Sequence, residues 1–432
     1  MPVTLTEASR GAQTDLDTAV IDEFRKSSAI LDALTFDDVV NPSGGGAVLT
    51  YGYRRLHTQA GAAFRTLNTE YTPGEVETRV YTVTLAPLGG SFQIDRVIAT
   101  IGAPSETALQ MTQKIKATNA KFTDAVINGD TAVEANGFDG LDKALAGSST
   151  EIGVGTTVDW SDFDTVARAE HRALDTIDSF LSVLDGPPDM LIGNASVMAR
   201  VRAAARRAGM YTRNPVDGLL GQNGRPIERE TYGSILMIDA GAKAGSNDAI
   251  IPTLTRDLDS SAWTLTYGGT VSGGTFDLTV TIGGDAQTVT GIAYNASNAD
   301  IKDALEGLSN VGAGDVTVTG TTTKTVTFTG SSRFDVVVLA CEDAAITGGG
   351  TIVAATSGTA TGVTGLTDLY AVRLGLDGFH AVSTVGQSLV QTWLPDFSTA
   401  GAVKTGEVEL GPVAVALKAS KAAAVLRNIK VA

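Results

Sequence analysis

Two neighbouring stretches, TLTYGGTVSGGTFDLTVTIGG (Thr264–Gly284) and TVTGTTTKTVTFTG (Thr317–Gly330), divide this chain into two kinds of sequence. Both are rich in Thr and Gly and alternate with a period of two, the pattern of β-strands with one buried face. On either side the chain is mixed, with Arg, Asp, Leu and Ala helices. LTDLYAVRLGLDGFHAVS (Leu366–Ser383) resumes that character as though nothing had intervened. Residues 260–365 therefore read as a β-rich module placed inside a host domain. Such a module must enter and leave through neighbouring points on the host, and loop tips tolerate this best. Within it, TFDLTVTIGGDAQTVTGIAY predicts a hairpin turning at Gly283-Gly284. NASNADIKDALEGL predicts one short helix, with Ser297 as N-cap and Asp300 in the first turn. DVTVTG, KTVTFTG and RFDVVVLA add further strands. The module holds nine acidic and three basic residues, so it is acidic and soluble.

At 432 residues, with 43% hydrophobic and 19% charged residues, the chain has room for two or three globular domains. Its formal charge of −16 argues against tight, sequence-independent nucleic-acid binding, which needs clustered Lys and Arg. The single cysteine, Cys341, cannot form an intrachain disulfide and reads as a small buried hydrophobe. MPVTLTEASRGAQTD lacks a basic flank and an apolar run, so no signal peptide is expected and a cytoplasmic origin is. No stretch approaches the ~20 apolar residues of a membrane span.

The host elements follow in order. Asp15–Leu34 approximates an apolar helical stripe, and NPSGGG (Asn41–Gly46) is a break. AVLTYGYRRLHTQAGAAFRTLN and ETRVYTVTLAPLGGSFQID predict two long polar strands joined at EYTPGE. Such a hairpin lacks a dense apolar face and needs a partner surface, here expected on another molecule. A long helix, buried on several sides, is predicted from Ser105 to a left-handed stop at Asn128-Gly129. A second helix is expected from Asp162 to Ile177, capped by Ser161. DMLIGNASVMARVRAAARRAGM predicts a buried strand, a cap at Asn194 or Ser196, and a helix whose basic end suits its dipole. GSILMIDA predicts a buried strand, and the tail from Glu407 predicts strands closing a sheet.

Chemistry-bearing patterns are weak. His57, His171 and His380 each lack a second His or Cys at ligand spacing, so no metal site is expected. There is no Walker A loop and no GxSxG. GLLGQNG at Gly218 lacks the strand-loop-helix order of a phosphate loop and reads as a turn. DLDSS (Asp257–Ser261) reads as a domain junction, not a calcium site. No catalytic constellation and no cofactor are expected.

The order of host elements, read with DMLIGNASVMARVRAAAR, LLGQNGRPIERETYGSILMIDAG and YAVRLGLDGFHAVS, resembles the major capsid proteins of tailed bacteriophages, especially those of actinobacterial phages. The likeness covers nearly all of Met1–Asp259 and Leu366–Ala432. It implies an α+β tailed-phage major-capsid fold carrying an inserted β-sandwich-like domain. Residues 1–40 would be an N-terminal arm and 41–95 the E-loop hairpin, which in that family lies over a neighbouring subunit. Residues 96–188 would be the peripheral domain with its spine helix, and 189–259 the axial domain. Residues 260–365 would be the inserted surface domain, and 366–432 the return to both host domains. YNASNADIKDALEGL…GDVTVTG resembles a β-rich module of phage virion and bacterial surface proteins.

The resemblance implies self-assembly into pentamers and hexamers of an icosahedral virion shell. That shell would enclose double-stranded DNA without sequence-specific binding and would be assembled in the host cytoplasm. Scaffolding, portal or decoration proteins are the further partners implied, with no membrane. Arg54, Arg55, Arg65, Glu70 and Glu75 on the hairpin are the candidate inter-subunit contacts. Residues 41–95 contain no lysine, so the covalent cross-linking through an E-loop lysine used by some relatives is not expected. An adhesin with the module as binding unit is the alternative; it calls for an export signal or tandem modules.

Overall fold

The computed structural model describes residues 30–41, 49–71, 74–101, 105–166, 168–209, 213–220, 226–257, 262–282, 285–329, 337–356, 362–385 and 389–432. The expected stripe from Asp15 lies outside them except for α1 (Ile30–Ala33). Then come β1 (Phe36–Val40), β2 (Thr50–Thr58), β3 (Glu77–Thr84), β4 (Ala86–Asp95), α2 (Arg96–Ile101), α3 (Ser105–Asn128) and α4 (Leu141–Leu145). Next are β5 (Glu151–Ile152), β6 (Val158–Asp159), α5 (Ala169–Leu181), β7 (Met190–Gly193) and α6 (Ala195–Arg207). They lead to β8 (Arg213–Leu220), β9 (Pro226–Tyr232), β10 (Ile235–Asp239) and β11 (Leu254–Asp257). The module holds β12 (Ala262–Gly268), β13 (Gly273–Ile282), β14 (Asp285–Ala293), α7 (Asn298–Glu306), β15 (Val316–Thr319), β16 (Thr323–Phe328), β17 (Val337–Glu342), β18 (Ile346–Thr347) and β19 (Thr351–Thr356). The host resumes with β20 (Gly362–Val372), β21 (Phe379–Thr384), β22 (Val390–Trp393), β23 (Val403–Leu417) and β24 (Ala423–Lys430).

Two host sheets organise these elements. One runs β5-β24-β20-β7-β10-β9-β8, with β11 also on β20 and β6 on β24; the other runs β1-β21-β23-β22, with β4 also on β23. The tail supplies strands to both, as expected. β1 pairs with β21, so the last part of the predicted arm is a sheet strand.

Helix α3 starts at Ser105 as expected, with Glu106 in its first turn. Its last turns bury Phe122, Val126 and Ile127, while Ile115 is exposed, so it is covered on several sides only near its end. Gly129 does not stop it through a left-handed conformation. A Cβ there would lie 2.3 Å from the Phe138 carbonyl and 2.4 Å from that of Ala125, so close packing demands the glycine.

Helix α5 begins at Ala169, seven residues after the expected start. The Asp159 carboxylate accepts from the Ser161 N–H and hydroxyl, and Asp162 accepts from the Asp164 N–H. These local bonds offer the backbone an alternative to the helix. Asn194 caps α6 by accepting from the Val197 N–H at 2.9 Å. Its amide also donates to the Ile251 carbonyl and the Thr367 hydroxyl, tying the helix start to the sheet.

The module is a sandwich of two sheets, β15-β16-β12-β19 and β14-β13-β17, the latter with β18 on β13. Helix α7 has the expected capping box of Ser297 and Asp300. One core holds Trp263, Leu265, Phe276, Val280, Ile301 and Phe328, and every member lies between Trp263 and Ile352. The module thus buries its own apolar surface without the host. Its boundary falls earlier than 365, because residues from Gly362 already form β20. Asp257 of β11 pairs with Gly362, so entry and exit are adjacent antiparallel strands.

Candidate assembly surface

The predicted hairpin exists, but only partly as predicted. β2 and β3 pair from Thr50↔Thr84 to Thr58↔Glu77. Residues 59–76 are not strand among those described. The second predicted strand also breaks at Leu85, which is buried; β4 then joins β23 in a different sheet. The chain therefore leaves the five-stranded sheet, extends as a two-stranded arm, and returns to it.

The arm's base is anchored within its own subunit. The Tyr53 hydroxyl donates to the Leu417 carbonyl at 2.9 Å. Arg55 donates to the Lys418 and Leu417 carbonyls at 2.9 and 2.7 Å. Its guanidinium sits 4.3 Å from the Tyr81 ring centroid, and Tyr53 and Tyr81 stack at 5.8 Å. Burial pushes the Tyr53 hydroxyl's pKa up, partly offset by Arg55. A charged fork on carbonyls at the end of β23, roofed by an aromatic plane, fixes the arm's exit direction.

Past Leu56 the described arm residues are exposed up to Val80. Phe64 and Leu67 are 109% and 89% exposed. The tip is shaped by local bonds. Thr69 N–H donates to the Thr66 carbonyl, Arg65 donates to the Thr69 carbonyl at 3.1 Å, and Arg65 lies over Tyr71. Asn68, with φ of 66°, makes the turn. The arm is thus held at its base and shaped at its tip, while Phe64 and Leu67 rest on nothing among the described residues of their own chain. Burying both on a partner is worth roughly 4 kcal/mol.

The five predicted contact residues separate. Arg54, Glu70 and Glu75 are exposed. Arg55 is spent on the anchor, and Arg65 folds back on the tip. Sequence reading passed over Phe64 and Leu67. The signal available was two large apolar residues isolated among Ala, Gly and Thr.

A second polar assembly lies at the module's stem. Arg256 of β11 grips Asp368 of β20 with two bonds of 2.6 and 2.8 Å. Arg427 bonds Asp368 and Glu151, each at 2.9 Å, and also Asp142. Asn428, in the left-handed region at φ 59°, donates its N–H to Asp368 and its amide to the Gly153 carbonyl. Burial alone would raise the Asp368 carboxyl, but Arg256 and Arg427 outweigh it and hold its pKa at about 2. The stem is therefore clamped to the C-terminal strand by paired buried charges.

Other predicted positions fall into place locally. Arg202 pairs with Glu230, Arg207 with Asp164, and Arg200 bonds the Val431 carbonyl. Cys341 is half-buried, and burial pushes its thiol up to about 11, as for an inert hydrophobe. His57 and His171 are exposed, whereas His380 is buried and burial lowers its pKa. Residues 221–225 of the glycine-rich stretch and 258–261 of DLDSS lie outside the described residues. Among the described residues no three His, Cys, Asp or Glu side chains are grouped to hold a metal, and no helix is long and apolar enough to cross a membrane.

No family model and no curated protein matches the chain. Similar solved structures include the holo-SrpI encapsulin complex of Synechococcus elongatus, at 11% identity and a TM-score of 0.47, covering 100% of this chain and 97% of the other. Mycobacterium phage Bobi matches at 10% identity and a TM-score of 0.45, covering 99% and 98%. The capsid of a native GTA particle matches at 10% identity and a TM-score of 0.44, covering 97% and 94%. The chain is an α+β protein similar, over nearly its whole length, to solved structures that include phage capsids and an encapsulin.

Proposed function

We propose that this chain is the shell-forming subunit, the major capsid protein, of a tailed bacteriophage, assembling into pentamers and hexamers of a closed icosahedral virion that encloses double-stranded DNA. The observation that carries this reading is the arm. It is anchored at Arg55 and shaped at Asn68, and it presents Phe64 and Leu67 away from its own core. A monomer gains nothing by holding such a surface in water, whereas a neighbour that covers it recovers the burial energy. The element order supports the same reading: arm, long helix α3, strand-helix pair β7–α6, and two sheets closed by the tail. The charge of −16 suits a shell that contains DNA without gripping its phosphates. The module, leaving through adjacent strands, projects from the outer surface, and the chain works by assembly and not by catalysis.

The purified chain tests this by sedimentation velocity. Rings or shells of many 44.4 kDa chains are expected. A single species of one chain at every protein and salt concentration would overturn the proposal. The adhesin reading gains no specific support, since the described outward face of β15-β16-β12-β19 carries no aromatic side chain to act as a binding platform.

A further inference from the structure

We infer that the inserted module pairs with the module of a second copy of this chain through the outer face of the sheet β15-β16-β12-β19, an inference that rests on the shell-subunit reading above. Alternation along these strands sends Trp263, Leu265, Val326 and Phe328 inward to the core. The register then lines up the outward positions in rows. Thr319, Thr325, Thr264 and Ala355 form the central row, and the rows on either side hold only Thr, Ala and Val. Among the described residues no charge stands on this face.

The rest of the module is different. The outer face of the other sheet carries Asp277 opposite Glu342. Helix α7 carries Asp300, Asp303 and Glu306. Nine acidic residues against three basic ones make two modules repel wherever those surfaces meet. Like-charge juxtaposition is costly at an interface, so the charge-free face is the approach that avoids it. Its threonines offer both methyls and hydroxyls, so two such faces can exchange apolar contact and hydrogen bonds. The face has no aromatic plane on which a sugar ring could stack, which favours a second module over a glycan.

The size of the face sets the regime. Four strands about 4.8 Å apart and three rows about 7 Å apart give roughly 300 Å² per copy, or about 600 Å² per pair. A stable interface buries about 1,600 Å². The pairing is therefore too weak for free chains and operates where a shell holds modules close together, at effective concentrations in the millimolar range.

The test uses full-length chain carrying Cys341→Ala and Thr325→Cys, treated with a short bismaleimide and run on a denaturing gel. Thr325 sits in the central row; Thr288→Cys, on the outer face of the other sheet beside Thr279, is the control. In assembled particles Thr325→Cys gives dimers at least about tenfold more than in unassembled chains, and Thr288→Cys does not. Normal particles in which Thr325→Cys yields no more dimer than the control overturn the inference while sparing the shell reading. Dimers in equal amount from unassembled chains overturn the weak, array-dependent pairing. If no chain assembles at all, the shell reading itself fails and takes this inference with it.

Discussion

Phe64→Ala together with Leu67→Ala should separate assembly from folding. Both side chains are almost wholly exposed and belong to no buried cluster, so removing them takes nothing from the subunit's core. If a neighbour covers them, each contributes about 1.5–3 kcal/mol to the contact. Their joint loss is then roughly 4 kcal/mol per arm, about a thousandfold in association constant. The arm's base remains, because Tyr53 and Arg55 still hold the carbonyls of Leu417 and Lys418. Sedimentation should show the double variant as small species at concentrations where the parent chain forms particles. Its thermal melt as unassembled subunit should match the parent within about 0.5 kcal/mol, as surface substitutions do. Parent-like assembly would refute the claim that these side chains are covered by a partner. A large loss of subunit stability would show that the arm packs on its own chain.

Three other perturbations probe the anchor, the stem and the insertion. Arg55→Ala should leave the sheets folded but free the arm's exit, lowering particle yield more than Arg54→Ala does, as read by electron microscopy counts; equal effects would remove the anchor. Asp368→Asn should cost about 3–5 kcal/mol in denaturant melts, because Arg256 and Arg427 lose a buried partner. Asp368 has a folded pKa of about 2, below its unfolded value, so its contribution is complete above pH 4 and fades as pH falls towards 2. That contribution is about 2 kcal/mol, and the acid-side loss should be absent from the Asn variant. Replacing residues 258–361 by Asn-Gly should close β11 and β20 as a two-residue hairpin, since Asp257 already faces Gly362. Soluble host of unchanged melting behaviour is expected, and insoluble chain would show the module to be integral.

What could be read from the sequence was mostly local. The Ser297 and Asp300 capping box, the Asn194 cap and the start of α3 each depend on residues within one turn. The module was legible because its Thr and Gly composition and period-two alternation persist over many strands. Its end was misplaced because β20 begins with GVTG, which continues the same composition while already pairing with the host. The hairpin was legible as a hairpin, but its strands were drawn too long. Nothing in the polar sequence after Thr58 marks the end of pairing, and the exchange of sheets at Leu85 is set by β23, hundreds of residues away. The role of Arg55 was hidden for the same reason, since its acceptors are the carbonyls of Leu417 and Lys418. The start of α5 was hidden because Arg168 adopts the left-handed conformation, with φ of 58°, immediately before Ala169, and nothing in an arginine announces that break.

A shell subunit must assemble. Negative-stain electron microscopy of the purified full-length chain measures it most directly. Closed shells or five- and six-fold rings, with density projecting once per subunit, are the predicted result. Dispersed single chains under every condition of salt and concentration would contradict it.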